Sequence, residues 1–276
     1  MEHLHTTPIF RCRDQVLLNR FYRRYRIESD ADTSTVIEQC SRAFSCIPYE
    51  NLTKIIKSDG ILSPESALRF PEEVLADHLK WGAGGTCFSL TAAMIAVFNT
   101  LGIEAHPLLA DRHYGTDTHC GLIVMNRRKA YLIDPGYLMF VPTPLPIVSV
   151  ATIPLGYTTI ELVPHSGGNR IDLATTVKGN RKVRLTYKRS PVDATAFRKA
   201  WTDSFTWEMM TYPVLTRCTA GEHLYLQGAS AAVRSSERTV RSKLDPMEQI
   251  SFIVKNMGID REVVLRAWKV TGYGTT

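Results

Sequence analysis

Three side chains in this sequence could cooperate in covalent catalysis: the thiol of Cys87, the imidazole of His119 and the carboxylate of Asp134. A thiolate attacks acyl carbon readily, an imidazole takes and returns the proton, and a carboxylate holds the imidazole in the tautomer that can do so. Together they support acyl transfer through a cysteine thioester. Singly, each has a plainer reading. An unpaired cysteine is commonly a small buried hydrophobe. His119 could be an ordinary surface or core histidine, and an aspartate before Pro135-Gly136 is commonly a turn residue. Chemistry follows only if local structure brings the three together.

Cys87 heads an apolar run in which Leu90, Met94, Val97, Phe98 and Leu101 recur at three- and four-residue spacing. This predicts a buried helix with Gly102 just past its end. The glycines of Gly82-Ala83-Gly84-Gly85 allow a tight turn before it, and Thr86 is a candidate N-cap. A thiol at that end feels the positive pole of the helix, which, with a neighbouring imidazolium, lowers its pKa from the free value of about 8.5. His119 and Asp134 belong to two apolar stretches, His119–Val124 and Ala130–Asp134, on either side of Asn126-Arg127-Arg128-Lys129. This is the pattern of a β-hairpin. With Asn126 and Arg127 as turn residues, His119 and Asp134 stand directly opposite, with Cβ atoms about 4.5–5.5 Å apart.

The surrounding elements follow the same logic. Residues from Asp14 to Leu101 read as mostly helical, Asp32 starting a helix that runs toward Phe44 and Pro71 starting another. From Glu104 to Tyr187, short β runs at His106–Ala110, Thr158–Val163 and Lys182–Tyr187 predict a small barrel or curled sheet. Beyond Ala200, strands at Glu222–Leu226 and Ala231–Arg234 precede a closing helix, Pro246–Met257. Tyr131 and Tyr137, near the acid, are assigned to packing.

Composition bounds the class. The chain has 276 residues, 44% apolar and 22% charged, which is ordinary for a soluble globular protein with two or three subdomains. Met1–His5 carries no apolar leader, and the apolar run from Val141 to Gly156 is broken by Pro142, Pro144, Pro146 and Pro154, so neither secretion nor membrane spanning is expected. The six cysteines show no framework spacing, and reduced thiols in a cytoplasmic protein are expected. No His and Cys set has a zinc-site spacing, so no metal is expected. The net charge of +6 is dispersed. Its densest cluster, Arg11, Arg13, Arg20, Arg23, Arg24 and Arg26, reads as the solvated face of an N-terminal helix with Phe21, Tyr22 and Tyr25 turned inward, and no nucleic-acid partner is expected. A basic surface also suits an anionic phosphate ligand.

Several segments resemble the arylamine N-acetyltransferase family. Ile47-Pro48-Tyr49-Glu50-Asn51-Leu52 is similar to its P-F-E-N-L element and Gly84-Gly85-Thr86-Cys87-Phe88 to its R-G-G-x-C-[FY] element. Leu101-Gly102-Ile103, Thr118-His119 and Tyr131-Leu132-Ile133-Asp134-Pro135-Gly136-Tyr137 follow in the same order, and Thr211–Leu226 and Thr239–Ile259 resemble its last strands and helix. The resemblance implies an α+β fold: a helical bundle plus a β-barrel with a papain-like, cysteine-protease-type core and a C-terminal α/β lid. It divides the chain into residues 1–102 carrying the nucleophile, 103–199 carrying the histidine and aspartate, and 200–276 as lid. It also implies a ping-pong reaction with Cys87 as nucleophile, His119 as base and Asp134 as the orienting acid. Acetyl-CoA or another acyl-CoA is the co-substrate, with no bound cofactor, and a small arylamine or hydrazine is the acceptor.

The sequence departs from that pattern at Ala83, where arginine is expected, at Ser89, where an acid is expected, and at Thr91, where asparagine is expected. Loss of both charges costs less than loss of one. Glu50 is retained and needs a new partner or an exposed setting, and Pro135 and Tyr137 alter the walls beside the acid. Three other readings stay open: an amide-forming enzyme of specialised metabolism using another acyl thioester, a transglutaminase-like or hydrolytic cysteine enzyme, and a catalytically silent binding protein of the same fold.

Overall fold

In the computed structural model, which describes residues 7–145, 148–177, 179–219 and 221–273, helices begin where the sequence offers a cap. The Asp14 side chain accepts from the Leu17 N–H at the head of α1 (Gln15–Tyr25), and Asp32 accepts from Ser34 and Thr35 N–H at the head of α2 (Thr33–Ser45). A two-residue strand, β1 (Tyr49–Glu50), precedes α3 (Leu52–Ser58), and Pro71 opens α4 (Pro71–Trp81). The starts expected at Asp32 and Pro71 both hold. On α1, Leu17, Leu18 and Phe21 are buried while Arg20, Arg23 and Arg24 face solvent, so the basic cluster is a solvated helix face. The readings made on Met1–His5 and Pro146 lie outside the described residues.

Helix α5 (Cys87–Thr100) is buried on every side from Cys87 to Phe98, as its predominantly apolar composition requires. It ends as expected, with Gly102 in the left-handed region at φ 71°. Around it a large core gathers Leu18, Phe21, Phe44, Phe88, Phe98, Phe197 and Trp201.

The central strands are β2 (Ala105–Arg112), β3 (Gly115–Asn126), β4 (Lys129–Asp134), β5 (Met139–Leu145), β6 (Ala151–Pro154), β7 (Thr159–Pro164), β8 (Arg170–Val177) and β9 (Asn180–Lys188). They pair antiparallel in the order β5-β4-β3-β2-β9-β8-β7-β6 and curl into a nearly closed barrel. The β3–β4 register corrects one expectation. Asn126 pairs with Lys129, so the turn is Arg127-Arg128, its first residue taking φ 55°, and the ladder runs through Leu122↔Ile133. His119 is therefore not directly opposite Asp134; Gly121 is. The slip is two residues, which preserves the face on which each side chain lies, because side chains alternate with period two.

After α6 (Ala194–Asp203), the strands β10 (Val214–Thr219), β11 (Glu222–Gln227), β12 (Ser230–Arg234) and β13 (Thr239–Lys243) form a second antiparallel sheet with β1 at its edge. α7 (Pro246–Phe252) runs into a π-helical turn, Ile253–Met257, that Gly258 stops at φ 72°. The helix expected from Pro246 to Met257 is thus present but does not close the chain. Asp260 caps a further helix, α8 (Arg261–Thr271), whose buried Val263, Val264, Ala267 and Trp268 pack on the second sheet's core. The whole is an α+β fold of helical bundle, barrel and α/β segment with a papain-like, cysteine-protease-type core.

The loop before Cys87 is held by a buried charge network. Glu50, fully buried, accepts from the Thr53 N–H at 2.9 Å, the Thr53 hydroxyl at 2.5 Å and the Gly84 N–H at 3.2 Å. Arg69, also buried, donates to that Thr53 hydroxyl at 2.5 Å and to the Gly84 carbonyl at 2.6 Å, stands 3.8 Å from Glu50 and pairs with Asp77 at 2.6 Å. Gly84 has no room for a side chain: a Cβ there would lie 1.8 Å from the Pro48 carbonyl oxygen. Glu50 therefore has its new partner, an arginine from before α4 in place of one at position 83. We predict that Arg69→Met, which strands a buried carboxylate, lowers unfolding free energy in urea by about 3–5 kcal/mol, and that adding Glu50→Gln recovers part of the loss.

Candidate active site

Strand β3 divides its side chains between two cores. Cys120, Leu122 and Val124 join the helical core with Cys87, whereas Ile123 packs in the barrel core with Leu108, Leu132 and Tyr187. His119 shares the barrel-side parity, and so does Asp134 by the observed register. The first turn of α5 reaches the strand at this seam. Gly136 makes the approach possible, since a Cβ on it would lie 2.4 Å from the Cys87 Cβ and 3.0 Å from His119 Cε1.

The three residues singled out by type are brought together there. His119 and Asp134 are fully buried and Cys87 is 3% exposed. His119 Nε2 donates to Asp134 Oδ2 at 2.6 Å. The same carboxylate oxygen accepts from the Tyr187 hydroxyl at 2.5 Å, and Oδ1 accepts from the Tyr137 N–H at 2.8 Å. With Nε2 committed to the acid, Nδ1 is the nitrogen left for the thiol. It also meets the Arg112 Nη2 at 2.9 Å. The Tyr137 ring stands edge-on to the imidazole with centroids 6.4 Å apart.

These contacts set the protonation preferences. The Cys87 thiol is held well below its ordinary range, first by a hydrogen bond from Cys120 and then by the hydrogen bond and charge of His119 and the charge of Arg112; burial opposes them. For His119, burial alone would disfavour the charged ring, but the charge and hydrogen bond of Asp134 outweigh it and the pKa is raised. The Cys120 thiol is pushed well above its usual value by burial and by Cys87. Thiolate and imidazolium are thus the favoured pair.

Two details differ from expectation. Thr86 occupies the N-cap position with extended backbone, yet its side chain makes no capping hydrogen bond; its carbonyl accepts from Ser89 Oγ at 3.1 Å. Ser89 is thereby satisfied inside the first turn without a charged partner. Thr91, fully buried, faces Cys120 Sγ at 3.5 Å. Cys120, Tyr187 and Arg112 were not singled out from sequence. Cys120 carried a signal, being the neighbour of His119 on a strand packed against the nucleophile's helix. Tyr187 and Arg112 had none, because barrel closure and hairpin geometry bring them in.

No protein-family model matches the sequence, and no curated protein matches it. Solved structures do match. The arylamine N-acetyltransferase from Mycobacterium abscessus superposes with a TM-score of 0.77 over 92% of this chain and 94% of its own, at 17% identity. The enzyme from Nocardia farcinica gives 0.75 over 97% and 99%, at 17% identity. The Mycobacterium marinum enzyme in complex with CoA gives 0.71 over 92% and 99%, at 19% identity. The chain therefore adopts a cysteine-protease-type α+β fold. More particularly, it has the fold of the arylamine N-acetyltransferases.

The lowered thiol pKa has a measurable sign. Iodoacetamide labelling of Cys87, followed by peptide mass spectrometry, should persist at pH 7 and fall only as pH drops through the lowered value. Cys12 and Cys40, whose thiols burial pushes up to about 12, should stay unlabelled. His119→Ala and Cys120→Ala should each move that limb upward by about one pH unit or more. Gly136→Ala, which forces its Cβ into Cys87, should slow the labelling at every pH while far-ultraviolet circular dichroism stays unchanged.

Proposed function

We propose that this chain is a cysteine acyltransferase that moves an acetyl or related acyl group from coenzyme A, through a thioester on Cys87, to the nitrogen of an arylamine, hydrazine or similar small amine. The observation that carries the reading is the Cys87 thiol at the head of α5, beside a buried imidazole whose Nε2 donates to a buried carboxylate. The fold shared with arylamine N-acetyltransferases, one of them in complex with CoA, supports it.

In this mechanism Asp134 fixes the ring so that Nδ1 faces the thiol. In the resting pair the ring already holds the Cys87 proton on Nδ1, and the thiolate attacks the thioester carbonyl of the donor. The tetrahedral intermediate collapses with cleavage of the carbon–sulfur bond to CoA, whose sulfur leaves with the proton from Nδ1. The amine then attacks the Cys87 thioester, Nδ1 takes the proton that the nitrogen loses, and that proton returns to the departing Cys87 sulfur. His119 acts as base and acid in turn. Burial of the site keeps water from the thioester until an amine arrives, so transfer wins over hydrolysis.

Intact-protein mass spectrometry after brief mixing with a panel of acyl-CoAs, without amine, tests the first half-reaction. We predict a mass gain of one acyl group that is absent in Cys87→Ser and discharged by an added arylamine. No adduct from any donor would remove the reading.

A further inference from the structure

The second sheet presents two unlike faces. Leu224, Leu226 and Ala231 point into the core shared with α7 and α8. The register puts His223, Tyr225, Arg234, Arg241 and Lys243 on the opposite face, because His223 pairs with Arg234, Tyr225 with Ala232, Ala232 with Arg241 and Ser230 with Lys243. Arg234 and Arg241 are therefore diagonal neighbours, with Cβ atoms less than about 8 Å apart. This face looks toward the barrel: the Tyr157 ring, from the turn between β6 and β7, stacks on His223 with centroids 4.3 Å apart.

The cations at this seam are oriented without being neutralised. Arg234, half-buried, donates from Nη1 to His223 Nδ1 at 2.8 Å and lies over the Tyr225 ring, 5.3 Å from its centroid. His223 is neutral, its pKa pushed down to about 3 by burial and by Arg234, and its Nε2–H donates to the Thr216 hydroxyl at 2.5 Å. On β9, Arg184 Nε donates to Thr175 Oγ1 at 2.7 Å, and Lys243 donates to the Ser230 hydroxyl at 2.6 Å. Among the described residues no carboxylate forms an ion pair with Arg184, Arg234, Arg241 or Lys243. Acids of β7 and α7 are engaged elsewhere, Glu161 with Arg181 and Asp245 with Glu248 in the cap of α7. After burial, the charge that most disfavours the Arg234 cation is that of Arg241, followed by Arg184. Arg69, whose role is structural, has both Glu50 and Asp77 beside it. Like charges gathered without a counter-charge weaken a fold, and they attract a multiply charged anion to the place where they meet.

We propose that Arg234, Arg241 and Arg184 bind the phosphate groups of the acyl donor, holding its nucleotide end at the seam between barrel and second sheet while the thioester reaches Cys87. This rests on the acyltransferase reading and assigns the charged end of its donor. Guanidinium groups grip phosphate oxygens with paired N–H donors, and neutral partners such as His223 and Thr175 leave their full charge for the ligand. The charges of Arg184 and Arg234 both act on Tyr137, whose ring stands 6.4 Å from that of His119. One side chain therefore lies between this basic group and the catalytic imidazole, a separation that the flexible arm joining pyrophosphate to thioester in CoA can bridge. No bond changes at the phosphates. They are held alike before and during acyl transfer, so the contact favours capture of the donor and leaves the rate at saturation alone.

The test is single-turnover acylation of the full chain, read by intact mass, with three acetyl thioesters: acetyl-CoA, acetyl-dephospho-CoA, which lacks the 3′-phosphate, and acetylpantetheine, which lacks every phosphate. At subsaturating donor, wild type should acylate about a hundredfold faster with acetyl-CoA than with acetylpantetheine, the factor expected of one or two charge-assisted hydrogen bonds. Added salt should shrink that advantage. Arg234→Gln and Arg241→Gln should each cut the ratio about tenfold through the apparent affinity for acetyl-CoA, and Arg234→Lys should retain part of it. Arg241 is exposed, so its substitution leaves the fold in place. Arg20→Gln, on the solvated face of α1, should keep the wild-type ratio and so exclude an effect of net charge. Thermal melting and iodoacetamide labelling establish that each variant is folded with Cys87 reactive. A loss confined to acetyl-CoA assigns the arginines to the 3′-phosphate, and an equal loss with acetyl-dephospho-CoA assigns them to the pyrophosphate. Equal rates for acetyl-CoA and acetylpantetheine in wild type would overturn the phosphate site while leaving the acyltransferase intact. So would a ratio that both glutamine variants leave untouched, or that Arg20→Gln cuts as deeply. Absence of an adduct from all three donors would overturn both.

Discussion

The buried carboxylate of Asp134 is the constraint on which the site depends. A carboxylate out of water must be fully hydrogen-bonded or it does not stay charged. Here three donors meet it: His119 Nε2, the Tyr187 hydroxyl and the Tyr137 N–H. Each comes from a different part of the barrel wall, so satisfying this one group fixes the closure of β9 against β4, the turn after β4 and the plane of the imidazole together. Gly121, opposite Asp134, leaves the space through which the Tyr187 ring approaches, at 3.4 Å from where a Cβ would stand. With Nε2–H held by the acid, Nδ1 is oriented before any substrate arrives. Positioning of this kind, more than any single pKa, makes a cysteine nucleophilic.

The second structural problem is the loop that delivers Cys87. Tight backbone packing brings Gly84 onto Pro48 and links Glu50 N–H to the Gly85 carbonyl at 2.9 Å. Such packing leaves a Gly84 N–H that needs an acceptor and a Gly84 carbonyl that needs a donor. The Glu50–Thr53–Arg69 network meets that need, with the Thr53 hydroxyl accepting from the arginine and donating to the glutamate. A cation can enter this space from before α4 as well as from the loop itself. Position 83 therefore needs no charge of its own, and Ser89 closes a hydrogen bond to the Thr86 carbonyl inside the first turn of α5.

Local signals made much of this legible in the sequence. Capping aspartates, Pro71, Gly102 and the apolar periodicity of α5 act within a few residues, and their elements stand where they were read. The Cys87, His119 and Asp134 set was likewise visible, because a residue type and an element suffice to nominate each. What escaped depends on register and on contacts distant in sequence. Whether Arg127 opens or closes the β3–β4 turn changes the partner of Asp134 without changing the face of any side chain, so the pairing was misassigned and the grouping survived. α8 was missed because Gly258 interrupts the periodicity that would have announced it. Tyr187, Arg112 and Arg69 reach the site through barrel closure, a hairpin whose register shifts beside Ala110, and a loop crossing. No window of sequence contains those events.

Two neighbours of Cys87 respond differently to its charge. The Cys120 S–H has a neutral alternative partner in Thr91 Oγ1, so it can turn to the sulfur when that is a thiolate and back when it is not. Its contribution disappears with the charge and leaves no penalty behind. Arg112 is a permanent cation, because a guanidinium stays ionised at any accessible pH. With Asp111 and Asp117 committed to other bases, its field reaches Cys87 and Asp134. The adjustable donor tracks the charge on the sulfur, the fixed cation favours that charge at every pH, and the two act together against the burial that opposes it.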